Sequence, residues 1–150
     1  MKQLKYRFNR KEGLIYQDKN DELTNIGNKL QMIVLWASEP MYGKPFHRIS
    51  SQDWVQLTFL DQVGNWCYAV LGNGTTEALA PWLEYRRLIE EKTTLSNVIT
   101  TIGFEETESK YQWFEFTFSG ATGNNGLGDR MQQVMQKSPF SLIEPLGLIS

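Results

Sequence analysis

The sequence predicts a mainly β domain with one or two helices, and three features of the chain support that prediction. Residues 54–71 alternate apolar and other side chains on both sides of a short turn that contains glycine, which is typical of a β-hairpin. Residues 110–118, KYQWFEFTF, alternate in the same way. Residues 77–92 have apolar side chains at helical spacing. At 150 residues the chain is long enough to bury the core of one domain.

The N-terminal third contains one strong strand signal. Residues 4–21 surround a Lys-Glu-Gly turn and indicate an N-terminal arm or a weak hairpin. The apolar run 30–36 predicts a buried strand, and because no glycine interrupts it we expect no bulge there. Residues 40–52 are expected to form a loop, since two prolines remove backbone donors from the stretch.

The hairpin has a predictable register. If Leu60 pairs with Trp66 across the turn, every second side chain on one face is apolar, and that face belongs to the core. The predicted core residues are Val55, Leu57, Phe59, Cys67, Ala69 and Leu71. The opposite face then has Trp54, Gln56, Thr58, Trp66, Tyr68 and Val70.

A helix and two more strands follow the hairpin. The helix expected over 77–92 is interrupted, because Pro81 favours a break or a short 3₁₀ turn. Residues 94–104 are rich in β-branched side chains and predict a strand. The last predicted strand, KYQWFEFTF, places three side chains on one face that we assign to the core, namely Phe114, Phe116 and Phe118.

We expect one domain over residues 1–119, including the N-terminal arm. Residues 120–150 are expected to be a Gly-rich linker, a short helix capped by Asp129, and an apolar tail at 139–150. The tail either folds back on the domain or docks on another subunit or protein. The stretch GATGNNGLG lacks the Gly-Lys-Ser/Thr ending of a phosphate-binding loop, so we interpret it as linker.

From residue 28 to residue 119 the order of elements is strand, hairpin, helix, strand, strand, and this order resembles the OB-fold. The resemblance implies a five-stranded Greek-key barrel with its helix between the third and fourth strands. The alternative is an α+β antiparallel sheet with the helix on one face, which the same order permits.

The resemblance also implies where a ligand would lie, across the second and third strands and between two loops. Residues at these places combine flat aromatic side chains with basic ones, and the N-terminal arm adds two arginines. The candidate site residues are Lys44, Phe46, His47 and Arg48 in the first loop, Trp54, Trp66 and Tyr68 on the hairpin, Lys110, Tyr111 and Trp113 in the last strand, and Arg7 and Arg10 in the arm.

These residue types predict non-catalytic binding of single-stranded nucleic acid, with DNA favoured, because aromatic side chains stack on bases and Lys or Arg contact phosphates. Residues 1–48 hold nine Lys and Arg against five Asp and Glu, whereas residues 49–150 hold six against twelve, which indicates a basic working end. The carboxylates of EETE, residues 105–108, oppose this hypothesis because they repel phosphate.

A second hypothesis is a protein–protein interaction or regulatory module. It would use the aromatic face and the apolar tail, residues 139–150, to bind a second copy or a protein partner. The aromatic side chains also have a plainer interpretation, since the arm or the tail could cover them in a second small core.

No constellation of residues indicates an enzyme, and we expect no catalytic residues and no cofactor. His47 lies near Asp53 in the sequence, but no nucleophile-elbow motif accompanies them. Cys67 falls on the core face of the hairpin, and a single histidine with a single cysteine cannot build a zinc site. The chain has no apolar run long enough for a membrane span and no apolar signal segment, so the expected location is cytoplasmic.

Overall fold

The computed structural model describes residues 4–43, 52–72, 76–106, 114–122 and 126–137. Within them the protein is mainly β, with two α-helices and a curled, half-barrel-like mixed sheet. The strands are β1 (Leu4–Asn9), β2 (Leu14–Lys19), β3 (Glu22–Gly27), β4 (Lys29–Ala37), β5 (Met41–Gly43), β6 (Gln52–Leu60), β7 (Trp66–Gly72), β8 (Val98–Glu106) and β9 (Phe114–Thr122). The helices are α1 (Thr76–Glu90) and α2 (Leu127–Lys137), and a 3₁₀ turn (Leu95–Asn97) precedes β8.

The strand order in the sheet is β3-β2-β1-β7-β6-β4-β8-β9, with the short β5 paired to β6. The pair β1–β7 is parallel, and the other pairs are antiparallel. The predicted hairpin is β6–β7, and its predicted register is confirmed because Leu60 pairs with Trp66. All six side chains assigned to its core face are 0% exposed. Two-residue periodicity was therefore sufficient to predict this part of the core.

The N-terminal arm is part of the sheet. The predicted weak hairpin is β1–β2, and β3, which was not predicted, continues it as a three-stranded meander. The β2–β3 turn is tight because Asn20 and Asp21 adopt φ values of 54° and 67°, which Asn and Asp tolerate better than most residues. The backbone N–H of Asp21 donates to Asp18 Oδ1 at 3.0 Å and fixes this turn.

Strand β4 bends, and the expectation of an unbulged strand was wrong. Its first half pairs with β8 and its second half with β6, and the register shifts between Val34 and Trp36. A bulge of this kind bends a strand and increases its twist without needing glycine. The extra residue, Leu35, is 2% exposed, so burial of its side chain stabilises the bulge.

The β1–β2 turn meets the start of β9, the last strand of the sheet. The Phe114 N–H donates to the Arg10 carbonyl at 3.1 Å, and Arg10 Nε donates to the Phe114 carbonyl at 2.8 Å. The rings of Phe8 and Phe116 pack edge to face, with centroids 5.8 Å apart. Strand β7 lies between β6 and β1 and pairs with both of them. The sheet therefore contains more strands than the predicted five-stranded barrel.

Helix α1 covers part of the curl. It continues through Pro81 without the predicted break, although the proline removes one helix hydrogen bond. Trp82 is 1% exposed and packs on Phe118 with ring centroids 5.4 Å apart. The Tyr85 hydroxyl lies 2.7 Å from Thr100 Oγ1. These contacts attach α1 to the last two strands of the sheet.

Helix α2 begins three residues before the predicted start and packs on β4 and the 3₁₀ turn. Ser96 Oγ donates to Asp129 Oδ1 at 2.7 Å, and Gln132 Nε2 donates to the Leu35 carbonyl at 3.0 Å. Asp129 lies in the first turn of α2, where a carboxylate is favourable. Strand β9 continues past residue 119 to Thr122, so it includes the first part of the expected linker.

Candidate functional site

One face of the sheet carries a continuous row of side chains, of which Asp18 and Thr58 are buried. The row runs from Asp18 to Lys5, Tyr68, Thr58 and Trp36, each of which is the direct cross-strand neighbour of the one before. Side chains directly opposite each other on a sheet face are within contact distance. The parallel pairing of β1 with β7 therefore places a basic strand beside an aromatic one.

A cleft of about 610 Å³ lies at one end of this face, between the β2–β3 turn and the β6–β7 turn. We call it the outer cleft. Its lining combines three side-chain types, contributed by β1, by β2 with its following turn, and by the start of β7. These are the cations Lys5, Arg7 and Lys19, the carboxylates Asp18 and Asp21, and the aromatic residues Trp66 and Tyr68.

Arg7 and Asp18 form an asymmetric ion pair in the outer cleft. Arg7 Nε donates to Asp18 Oδ2 at 2.7 Å. The Asp18 side chain is 7% exposed, whereas the Arg7 side chain is 49% exposed. Within the described chain, the two terminal nitrogens of Arg7 make no hydrogen bond. The pair therefore leaves the outer edge of the guanidinium group open to the cleft.

Lys5 belongs to the same electrostatic cluster. Its Nζ lies 5.9 Å from the centroid of the Tyr68 ring, within the range of a cation–π contact. Partial burial and then the positive charge of Arg7 lower the pKa of Lys5. Partial burial and then the negative charge of Asp18 raise the pKa of Tyr68. At neutral pH the Tyr68 side chain is therefore a neutral phenol.

The β6–β7 turn forms one wall of the outer cleft, and a buried carboxylate holds it. Asp61 Oδ1 accepts the backbone N–H groups of Val63 and Asn65, at 3.0 and 2.9 Å. Its Oδ2 accepts the Asn65 side-chain amide and the Tyr6 hydroxyl, each at 3.0 Å. Burial alone would raise the pKa of Asp61, but the hydrogen bonds from Asn65, Tyr6 and Val63 outweigh burial and lower it.

The structure brings together three of the residues predicted to bind a ligand, namely Arg7, Trp66 and Tyr68. Arg10 lies apart from the cleft, and its Nε bonds to the Phe114 carbonyl. Trp54 is 1% exposed, and its indole N–H has no hydrogen-bond partner within the described chain. It therefore offers no open ring face for stacking.

The remaining candidate residues lie outside the described part of the chain. They are Lys44, Phe46, His47, Arg48, Lys110, Tyr111 and Trp113, together with the tail 139–150.

Sequence reasoning missed Lys5, Asp18 and Lys19 as site residues. A signal for Lys5 was present, because LKYRF alternates Lys5 and Arg7 with Tyr6 and Phe8. Such alternation is typical of a strand with one basic face and one core face. Tyr6 is 4% exposed and Phe8 packs against the core, in agreement with that pattern.

Cys67 is buried, as its place on the hairpin predicted, and burial raises the pKa of its thiol. Across the described ranges, no three His, Cys, Asp or Glu side chains cluster in a way that could hold a metal ion. None of the helices in those ranges is both long and apolar enough to cross a membrane.

No protein-family model, no curated protein and no solved structure matches this chain. The described fold and cleft define its class only as a mainly β protein, with a curled mixed sheet, two helices and an outer cleft that is both aromatic and charged.

Proposed function

We propose that this protein binds single-stranded nucleic acid, with DNA favoured, and that it does so without catalysis. One observation supports this proposal most strongly: the strand pairing of β1 with β7 places Lys5 and Arg7 beside Trp66 and Tyr68 in a single cleft. Bases would stack on the two aromatic rings while the two cations contact the phosphates.

The expected energies suit a weak to moderate binder. Stacking of a base on an aromatic side chain contributes about 1–3 kcal/mol, and every base has a face that can stack. A cleft of about 610 Å³ is within the usual size range of ligand pockets. We therefore assign one or two nucleotides to the outer cleft.

The carboxylates of the cleft limit this affinity without preventing it. Asp18 is already paired with Arg7, so the charge of that pair is largely neutralised. Asp21 is exposed at the rim, where solvent and salt screen its repulsion. With Lys5 and Lys19 counted beside Arg7, the cleft has three cations against two carboxylates.

The test is a titration of the folded protein with unlabelled oligo-dT, followed by tryptophan fluorescence at several salt concentrations. We expect saturable quenching, and Trp66→Phe should remove most of it. Because each phosphate contact to a single strand contributes about −0.7 to the slope of log K against log salt, two contacts predict about −1.4. Lys5→Ala should reduce the slope by about 0.7.

The matched control is Lys92→Ala, which removes one exposed positive charge just after the end of α1, away from the cleft. It should leave the slope unchanged. Absence of quenching at low salt, with a folded wild-type protein, would contradict the proposed function.

A specific observation also favours the alternative, a protein–protein interaction module. Two apolar side chains beside the outer cleft face solvent: Leu23, next to Asp18 on the same face, is 54% exposed, and Val63 in the β6–β7 turn is 85% exposed. Exposed apolar side chains beside aromatic ones are typical of a protein–protein interface. Light scattering of the same samples, with and without residues 138–150, distinguishes this alternative through the mass of the complex.

A further inference from the structure

The Arg7–Asp18 pair has the geometry of an oriented guanidinium rather than that of an ordinary surface ion pair. A surface pair leaves both partners mobile and exposed, and such pairs contribute little. Here the carboxylate is buried and the arginine is half exposed, at 7% and 49%. The bond uses Nε, at 2.7 Å, so the contact lies on the side edge of the planar group and leaves the end edge, formed by one N–H of each terminal nitrogen, open.

Asp18 is itself fixed in place. Its second oxygen, Oδ1, accepts the Asp21 N–H at 3.0 Å, and its backbone lies in β2 opposite Lys5. Because its side chain is 7% exposed and its Oδ1 is bonded to the β2–β3 turn, the carboxylate is held independently of the arginine. Asp18 therefore determines the direction of Arg7, and this makes it a positioning residue.

The open edge of Arg7 faces a site suited to an anion with an attached flat group. The two terminal nitrogens of a guanidinium match two oxygens of a phosphate in parallel hydrogen bonds. Lys5 lies two residues away on the same face of β1 and contacts the Tyr68 ring. A second cation and an aromatic ring therefore lie beside the guanidinium group of Arg7.

We propose that Arg7, oriented by Asp18, binds one phosphate group of the ligand through two parallel hydrogen bonds from its terminal nitrogens. The inference rests on the proposed function for the identity of the ligand, which is a nucleotide phosphate. Three ligands offer the phosphate oxygens that Arg7 would bind: an internal phosphodiester, a terminal phosphomonoester and free phosphate.

The experiment compares wild-type protein with three variants of the full-length chain, each checked for folding by thermal denaturation. Arg7→Lys keeps the charge but loses the two-pronged geometry. Asp18→Asn removes the carboxylate that orients Arg7. Asp21→Asn is the matched control, because it removes a neighbouring carboxylate that makes no ion pair with Arg7 within the described chain, and asparagine tolerates its positive φ of 67°.

The ligands are oligo-dT without a terminal phosphate, the same oligonucleotide with a 5′-phosphate, and inorganic phosphate. Arg7→Lys should lose at least about tenfold in affinity for whichever ligand the wild type binds, since a charged hydrogen bond is lost. Asp18→Asn should also bind more weakly. Asp21→Asn should bind slightly more tightly, because only repulsion is removed.

The two aspartate variants are expected to change the affinity in opposite directions. This difference distinguishes a role of Asp18 in orienting Arg7 from simple repulsion of the ligand. If Asp18→Asn tightens binding as Asp21→Asn does, Asp18 merely repels the ligand and the inference is wrong. If Asp18→Asn does not fold, Arg7→Lys decides alone: wild-type affinity in that variant also overturns the inference.

The two proposals fail in different ways. Salt-dependent quenching by oligonucleotides that Arg7→Lys leaves unchanged supports the proposed function and overturns the inference. Binding of inorganic phosphate that depends on Arg7, without binding of any oligonucleotide, supports the phosphate site and contradicts nucleic-acid binding.

Discussion

Lys5 occupies a position at which burial and a neighbouring positive charge both oppose protonation. Partial burial has the larger effect, and Arg7 adds to it, while Asp18 and Asp21 act in the opposite direction. The net result is a pKa below the ordinary 10.5 of lysine. The pKa of Tyr68, which shares the site, is shifted in the opposite direction, upwards from that of an ordinary tyrosine.

This asymmetry predicts a pH dependence of binding. As pH rises through the lowered pKa of Lys5, its positive charge is lost and affinity for oligo-dT should fall at a lower pH than an ordinary lysine allows. Over the same window Lys5 is more protonated in the unfolded chain than in the folded chain, so its own contribution to the free energy of unfolding rises with pH, whereas the raised pKa values of Cys67 and Tyr68 act in the opposite direction. Fluorescence titrations between about pH 7 and about pH 10.5, the ordinary pKa of lysine, measure the first effect, and urea unfolding measures the second.

The control is Lys5→Arg, since arginine keeps its charge over this whole range. Its affinity should stay level where that of the wild type falls. Identical pH profiles for the two proteins would show that another group is responsible.

At the same scale, Trp54 and Trp66 show how far residue periodicity predicts a site. Both were assigned to the outer face of the hairpin from their parity, and both belong to strands with the predicted register. Yet Trp54 is 1% exposed while Trp66 lines the outer cleft. Parity identifies the side of a sheet to which a residue points, but burial depends on which other parts of the chain pack there.

At the scale of elements, the strands with an apolar face were predictable and the others were not. Strand β3 was missed because four of its six residues are exposed, so no hydrophobic alternation marks it. Its backbone hydrogen bonds to β2 and the Asn-Asp turn specify it instead. The bulge at Leu35 was missed for a similar reason, since a register shift results from pairing with two different strands.

The β6–β7 turn is the element on which the outer cleft most depends, and Asp61→Asn tests it. The variant keeps the side-chain size but leaves donors around Asp61 without their charged acceptor. A loss of about 2–3 kcal/mol in the free energy of unfolding is expected at neutral pH. Because the pKa of Asp61 is lowered in the folded state, its contribution is present above its ordinary value of 3.8 and is lost as pH falls through the folded value.

Urea unfolding of wild type and Asp61→Asn at about pH 7 and at about pH 3 provides the measurement, and the difference between the two proteins should shrink at the lower pH. Asp21→Asn, at an exposed turn position, is the control and should change stability by less than about 0.5 kcal/mol. A pH-independent difference for Asp61→Asn would show that lost packing, rather than the carboxylate, is responsible.

At the scale of the whole molecule, the curl is maintained by contacts between residues about one hundred positions apart. The β1–β2 turn meets the start of β9 through the backbone and side chain of Arg10, and the Phe114 ring lies against Gly13. No local sequence pattern in either segment indicates that the two segments are in contact. For this reason the sequence predicted the strands of the sheet and part of its core, but not how the N-terminal strands join it, nor the cleft that this pairing creates.

Gly13 is the position at which this long-range contact can be tested. Its φ of +70° disfavours any other residue, and a Cβ atom there would lie 2.6 Å from the Phe114 ring. Gly13→Ala should lower the free energy of unfolding by about 3 kcal/mol, from backbone strain and overpacking together. Gly27 has a φ of +96°, and a Cβ atom added to it would meet nothing within 4 Å. Gly27→Ala should therefore lower the free energy of unfolding only through backbone strain, by about 1–2 kcal/mol.

A double-mutant cycle isolates the contact itself. Phe114→Ala removes the ring, so adding Gly13→Ala to it should cost no more than Gly27→Ala costs in the wild type. The difference between the two costs of Gly13→Ala, with and without the ring, measures how strongly the β1–β2 turn is packed against β9. If Gly13→Ala costs the same in both backgrounds and matches Gly27→Ala, Gly13 does not pack tightly on the Phe114 ring, and the hydrogen bonds between Arg10 and Phe114 join the turn to β9 without that contact.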